Sequence, residues 1–126
     1  MIDLNSVVAE KDKVAVPSSL IVKDFDGLED TEVIIPAIYN GMPVVGICDF
    51  TFENSSVVSV EIPETVTHLL NGVFRGCTSL ETLIFHEGLL DIGNGAFADC
   101  TALKEVTLPA SVVRIGENAF AGCEDL

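Results

Sequence analysis

Cys100-Thr101-Ala102-Leu103-Lys104-Glu105-Val106-Thr107-Leu108-Pro109, completed by Ile115-Gly116 and Ala119-Phe120-Ala121-Gly122-Cys123, is one full turn of a pattern that governs most of the chain. The cysteines at 77, 100 and 123 are spaced by 23 residues. The same step links Val57, Leu80, Leu103 and Leu126, then Val60, Leu83 and Val106, then Ile62, Phe85 and Leu108, then Leu69, Ile92 and Ile115. A fixed period in this range, with apolar residues returning to the same slots, marks a solenoid whose units bury their faces only by stacking.

Within the unit, Val106 and Leu108 alternate with Glu105 and Thr107, which predicts a short half-buried strand over Leu103–Leu108. Pro109 stops it, because proline has no N–H for a ladder. Val112 and Ile115 are expected to turn inward, and Gly116 to let the backbone bend where a Cβ would obstruct it. Phe74, Phe97 and Phe120 then form a buried aromatic column, with Ala96 and Ala119 as close-packing partners. Cys77, Cys100 and Cys123 form a second column of small buried hydrophobes. A disulfide or metal site is the alternative for these thiols; against it, the chain has no Cys-x-x-Cys pair, and His68 and His86 fall in different slots of the unit.

These residues resemble the BspA-like leucine-rich repeat family, whose unit runs Cys-x-x-Leu-x-x-[Val/Leu]-x-[Ile/Leu]-Pro, an Ile-Gly step, then Ala-Phe-x-x-Cys. The resemblance extends from Val33 to Leu126, and Cys100 to Gly122 reproduces nearly the whole motif. The middle unit has His86 in the proline slot, and the unit before it has Leu69-Leu70 for Ile-Gly, so its bend is expected at Gly72. Upstream, Val33-Ile34-Ile35-Pro36 matches Val60-Glu61-Ile62-Pro63, and Ile47 through Phe52 matches the Ile-Gly to Ala-Phe segment, with Cys48 in the glycine slot. That unit is one residue short, which reads as a missing Cys slot between Asn54 and Ser55. Tyr39-Asn40-Gly41-Met42-Pro43 is an inserted turn of the kind that first repeats of this family carry, and so implies the start of the array.

The resemblance implies an α/β solenoid: a right-handed coil with a parallel sheet on one face, short turns or irregular helices on the other, and an N-terminal β cap. Residues 1–32 are expected to be tail and capping strands, the cap lying over residues 13–25, and 33–126 a solenoid of about four units. The unit begun at Cys123-Glu124-Asp125-Leu126 leaves an apolar face and a strand edge at the C-terminal end, from which a truncated array or self-association is expected.

Composition narrows function by exclusion. The 126 residues are 48% apolar, with 20 acidic side chains against 6 basic ones and a formal charge of -14. Nucleic acid and anionic membranes need a basic footprint, which is missing. No apolar run approaches the ~20 residues of a membrane helix, and Met1-Ile2-Asp3-Leu4-Asn5 has no basic n-region. Asp24 to Glu32 clusters carboxylates around Gly27 without EF-hand spacing, and reads as a solvated turn with a weak calcium site as the alternative. No triad, phosphate loop or cofactor motif is present, so no enzyme, cofactor or metal is expected.

What remains is the outward face of the sheet. Ser59, Thr82 and Glu105 fall in one column and Glu61, Ile84 and Thr107 in the next, with Ile84 the most informative as an apolar residue on a solvated face. The expected function is a non-catalytic protein-binding module using these six residues, with a structural scaffold self-associating through its C-terminal end as the alternative. The resemblance implies a secreted or cell-surface setting and adhesion to a host or matrix protein.

Overall fold

The structure is a computed structural model that describes residues 32–126 and the backbone of two strands upstream, Val7–Lys11 (β1) and Leu20–Phe25 (β2). The chain then winds through short strands: Glu32–Ile34 (β3), Ile38–Tyr39 (β4), Met42–Ile47 (β5), Ser59–Glu61 (β6), His68–Leu69 (β7), Thr82–Ile84 (β8), Asp91–Ile92 (β9) and Arg114–Ile115 (β10). The coils build two ladders of parallel strands rather than one, the last coil joining only the longer. The strand before the proline slot builds the ladder β3-β6-β8, and the Ile-Gly step builds a longer ladder in the order β1-β2-β5-β7-β9-β10. Among the described residues there is no helix; turns fill the remaining side of each of about four coils.

The register follows the repeat. Val33 pairs with Val60 and Val60 with Leu83; Gly46 with His68 and His68 with Asp91. The interior is the set of returning slots: Val57, Leu80 and Leu103 are fully buried, as are Leu69 and Ile92. The aromatic column is as expected and one ring longer. Phe52, Phe74, Phe97 and Phe120 stack with centroids 5.0, 5.3 and 5.4 Å apart and planes within 7° of parallel. Burying each ring fully is worth about 1.5 to 3 kcal/mol, so this column is a principal source of stability.

Three local expectations are corrected or refined. The thiol slot of the first coil is present and holds Ser55, which is buried with its hydroxyl 3.5 Å from Cys77 Sγ. The coil is shortened after that slot, at Ser55-Ser56-Val57 against Cys77-Thr78-Ser79-Leu80. Gly116 is not one of the left-handed positions of the coil, which are Phe50, Gly72, Gly95 and Asn118, and then Asn54, Gly76, Asp99 and Gly122. The expected obstruction is there, because a Cβ at 93 or 116 would lie 2.5 Å from backbone atoms of the preceding coil. Finally, Leu103–Leu108 is not a strand. No backbone hydrogen bond joins residues 103–109 to β8, and Leu108 and Ile115, expected in the core, are 37% and 47% exposed because no coil covers them on the C-terminal side.

The insertion is a β-hairpin. Ile38 pairs with Pro43 and Tyr39 with Met42, around Asn40 and Gly41 at φ 52° and 78°, the double left-handed turn that suits strand twist. At the N-terminal edge, β2 pairs in parallel with β5 and β1 in antiparallel with β2. Most of the acidic segment, 26–31, and the expected capping residues 13–19 lie outside the described residues.

Candidate interaction surface

The outward side chains of β3, β6 and β8 stand in two ladder columns because strand residues alternate between faces. Glu32, Ser59 and Thr82 are paired in one, and Ile34, Glu61 and Ile84 in the other. Ile34 and Ile84 are 46% and 40% exposed, and Glu61 lies between them. His86, in the proline slot, points its Nε2 at Glu61 Oε2, 3.5 Å away. The result is a row of two isoleucines about a carboxylate, held in place by a hydrogen-bonded sheet.

The structure thus brings together Ser59, Glu61, Thr82 and Ile84. It does not bring Glu105 and Thr107 into the ladder; both are exposed on the segment that stands away from β8. Ile34 and Glu32 belong to the surface and were missed by sequence reasoning. The signal was available, since aligning Ile34-Ile35-Pro36 with Glu61-Ile62-Pro63 already sets Ile34 in the Glu61 slot. Beside β8, a cleft of about 480 Å³ opens between Leu83, Phe85 and His86 on one side and Thr107 and Leu108 on the other.

The turn side carries a second ladder, of side-chain oxygens on backbone donors. Asn71 N–H donates to Asp49 Oδ1, Asn94 N–H to Asn71 Oδ1, and Glu117 N–H to Asn94 Oδ1, each at 2.9 Å. The thiols repeat the idea inside: Cys77, Cys100 and Cys123 donate to the carbonyls of Phe52, Phe74 and Phe97 at 3.0, 3.2 and 3.0 Å. Burial pushes all three thiols up, Cys100 to about 12, with the neighbouring thiols adding to the effect there. A thiol so placed stays protonated and is a poor nucleophile and a poor metal ligand. Cys77, Cys100 and Cys123 form no disulfide, and no group of three His, Cys, Asp or Glu side chains able to hold a metal occurs among the described residues.

Six copies of the model for the BspA type leucine rich repeat region match residues 32–126. The chain belongs to the BspA-type leucine-rich repeat family. Its relatives of known structure share the coil. A leucine-rich repeat protein from Bacteroides capillosus is 30% identical over 90% of this chain and 86% of its own, with a TM-score of 0.80. A leucine rich cell surface protein from Faecalibacterium prausnitzii is 29% identical, with a TM-score of 0.86 over the whole of this chain, which spans 35% of that protein. The leucine-rich repeat protein of T. pallidum, 24% identical over 99% of this chain and 68% of its own, shares the fold with a TM-score of 0.79. No curated protein matches. This BspA-type chain therefore has the leucine-rich repeat scaffold of these proteins, and its own surface chemistry must say the rest.

Proposed function

We propose that this BspA-type chain is a non-catalytic protein-interaction module of the adhesion kind, and that the strand face of β3, β6 and β8 is where it holds its partner. The observation that carries this reading is the Ile34–Glu61–Ile84 row, an apolar pair in ladder register on an outward face. Exposed apolar side chains fixed by a sheet lose little entropy on binding and are suited to seed a contact. Ser59 and Thr82 offer hydroxyls beside them, and Glu105 and Thr107 extend the surface when their segment lies along β8. In this reading the coil is right-handed, β1 and β2 cap its N-terminal end, and residues 33–126 form the binding solenoid. The Faecalibacterium relative is a cell surface protein, which supports display outside the cell.

The test is retention of the chain on immobilised extracellular-matrix proteins, compared with an Ile34→Glu, Ile84→Glu double variant. Retention by the parent and its loss in the variant, at unchanged melting temperature, is the expected result. Equal retention of both, or none of the parent, would remove the strand face from the reading.

A further inference from the structure

Asparagine followed by glycine carries a reaction of its own, because the glycine nitrogen has no side chain beside it to keep it from the asparagine side-chain carbonyl carbon. The chain has three such pairs, Asn40-Gly41, Asn71-Gly72 and Asn94-Gly95. The coil locks two of them. Gly72 N–H donates to Asn94 O and Gly95 N–H to Glu117 O, each at 2.9 Å. Their side chains are held as well, Asn71 Oδ1 by Asn94 N–H and Asn94 Oδ1 by Glu117 N–H, each again at 2.9 Å. Attack within either pair has to break both bonds first. The other described asparagines are closed too, since the N–H groups that follow Asn54 and Asn118, those of Ser55 and Ala119, donate to Phe52 O and Gly116 O at 3.1 and 3.3 Å. Asn40-Gly41 differs at each point. The two residues form the tip of the β4–β5 hairpin, both are exposed, and a Cβ on Gly41 would meet nothing within 4 Å. Neither the Asn40 side chain nor Gly41 N–H has a hydrogen-bond partner among the described residues.

We propose that the tip of this hairpin is a self-modification site, at which Asn40 converts to aspartate and isoaspartate while the asparagines of the coil persist. The Gly41 amide nitrogen, giving its proton to water or hydroxide, attacks Asn40 Cγ. The N–Cγ bond forms, the Cγ–Nδ2 bond breaks, and the side-chain nitrogen takes up a proton and leaves as ammonia. Water then opens the cyclic imide. Addition at Cγ restores the ordinary main chain with an aspartate. Addition at the Asn40 main-chain carbonyl carbon cleaves its bond to Gly41 N and leaves the chain running through Cγ, an isoaspartate. The balance is one water taken up and one ammonia released, with no oxidant, reductant or cofactor.

Both products add a carboxylate to a chain already at -14. Isoaspartate also inserts a methylene into the main chain of a two-residue turn, and loop length is what fixes hairpin register, so the Tyr39–Met42 pair is the first to be lost. The base of the hairpin is better tied. Ala37 O accepts Val44 N–H at 2.8 Å and Thr65 Oγ1–H at 3.3 Å, which confines the disturbance to the tip. The inference is independent of what the strand face binds.

The experiment incubates the full chain in neutral buffer at physiological temperature, folded and in denaturing urea, and follows each Asn-Gly peptide by mass spectrometry and isoaspartate-sensitive digestion. In urea the three pairs should react at rates within about threefold of one another, since the unfolded chain holds none of them. In the fold, Asn71 and Asn94 should slow by roughly tenfold or more, because they react only through opening of the coil, while Asn40 stays within about threefold of its rate in urea. Asn40→Gly suits the double left-handed turn and removes the reacting amide, so the early mass gain should vanish at an unchanged melting temperature. Hydrogen exchange in the isoaspartate species should rise at the Met42 amide and hold at Val44. Equal rates at the three pairs in the folded chain, whether fast or slow, would overturn the proposal. An undiminished early mass gain in the Asn40→Gly variant would overturn it as well.

Discussion

Two kinds of glycine do different work in this coil, and substitution separates them. Gly95 sits at φ 62° and a Cβ there would meet only the Ala98 Cβ, at an ordinary 3.9 Å, so Gly95→Ala should cost the left-handed penalty alone, about 1 to 2 kcal/mol. Gly93 has an ordinary φ, but its Cβ would lie 2.5 Å from the Leu70 carbonyl carbon and 2.6 Å from its oxygen. Backbone cannot rotate away as a side chain can, so Gly93→Ala must push two coils apart and break the Gly93 N–H to Leu69 O bond of 2.8 Å. Denaturant titration should find it the more damaging change, by about 3 kcal/mol or more in total. The thiol column makes a prediction in pH. Cys100 is raised from 9.0 to about 12 in the fold, so the unfolded chain releases its proton first. Its contribution to stability is fully present below pH 9.0 and is lost as the pH rises from there to about 12. Cys100→Ser keeps a donor for Phe74 O and removes that ionisation, so its melting temperature should fall less steeply across this window than the parent's.

At the scale of elements, the 23-residue period made the core strands and the aromatic column legible, because a slot that returns apolar four times leaves little choice of inside and outside. The second sheet was not legible. Its strands in the repeat, His68–Leu69, Asp91–Ile92 and Arg114–Ile115, are two residues long, too short for alternation to register as a pattern. The shortened first coil misled for a similar reason: a deletion is located only when the residues on both sides are recognised, and Ser55 does not look like Cys77 until it is found beside it. The Asp49-Asn71-Asn94 ladder was visible in principle, as three residues with a side-chain carbonyl or carboxylate in one slot, but only stacked coils show that each oxygen meets the next N–H. Asn94 is its most connected member, accepting from Glu117 N–H and, at 3.3 Å, from Arg114 Nη2. Asn94→Leu should cost about 1 kcal/mol, and exchange at the Glu117 amide should rise while that at Asn71 holds.

For the whole molecule, stability is set by where a coil sits in the stack rather than by what it contains. Phe97 lies between Phe74 and Phe120, meets the edge of Phe85 at 6.0 Å, and is fully buried. Phe120 has the same chemistry but one neighbouring ring, and it is half-buried. Phe97→Ala leaves a cavity closed on both sides and should cost about 3 to 5 kcal/mol. Phe120→Ala removes a ring already partly in water and should cost on the order of 1 to 2 kcal/mol. A solenoid couples only neighbouring coils, so the two variants should also differ in the form of their unfolding. Phe120→Ala should loosen the last coil alone, raising exchange at Cys123 and Leu126 amides while Phe74 and Cys77 amides keep the parent's rate. Phe97→Ala cuts the stack at its centre, and exchange should rise on both sides of it, in the Phe74 coil as well as the Phe120 coil. Identical melting temperatures for the two variants would contradict a one-dimensional stack with an uncovered end, whatever the strand face binds.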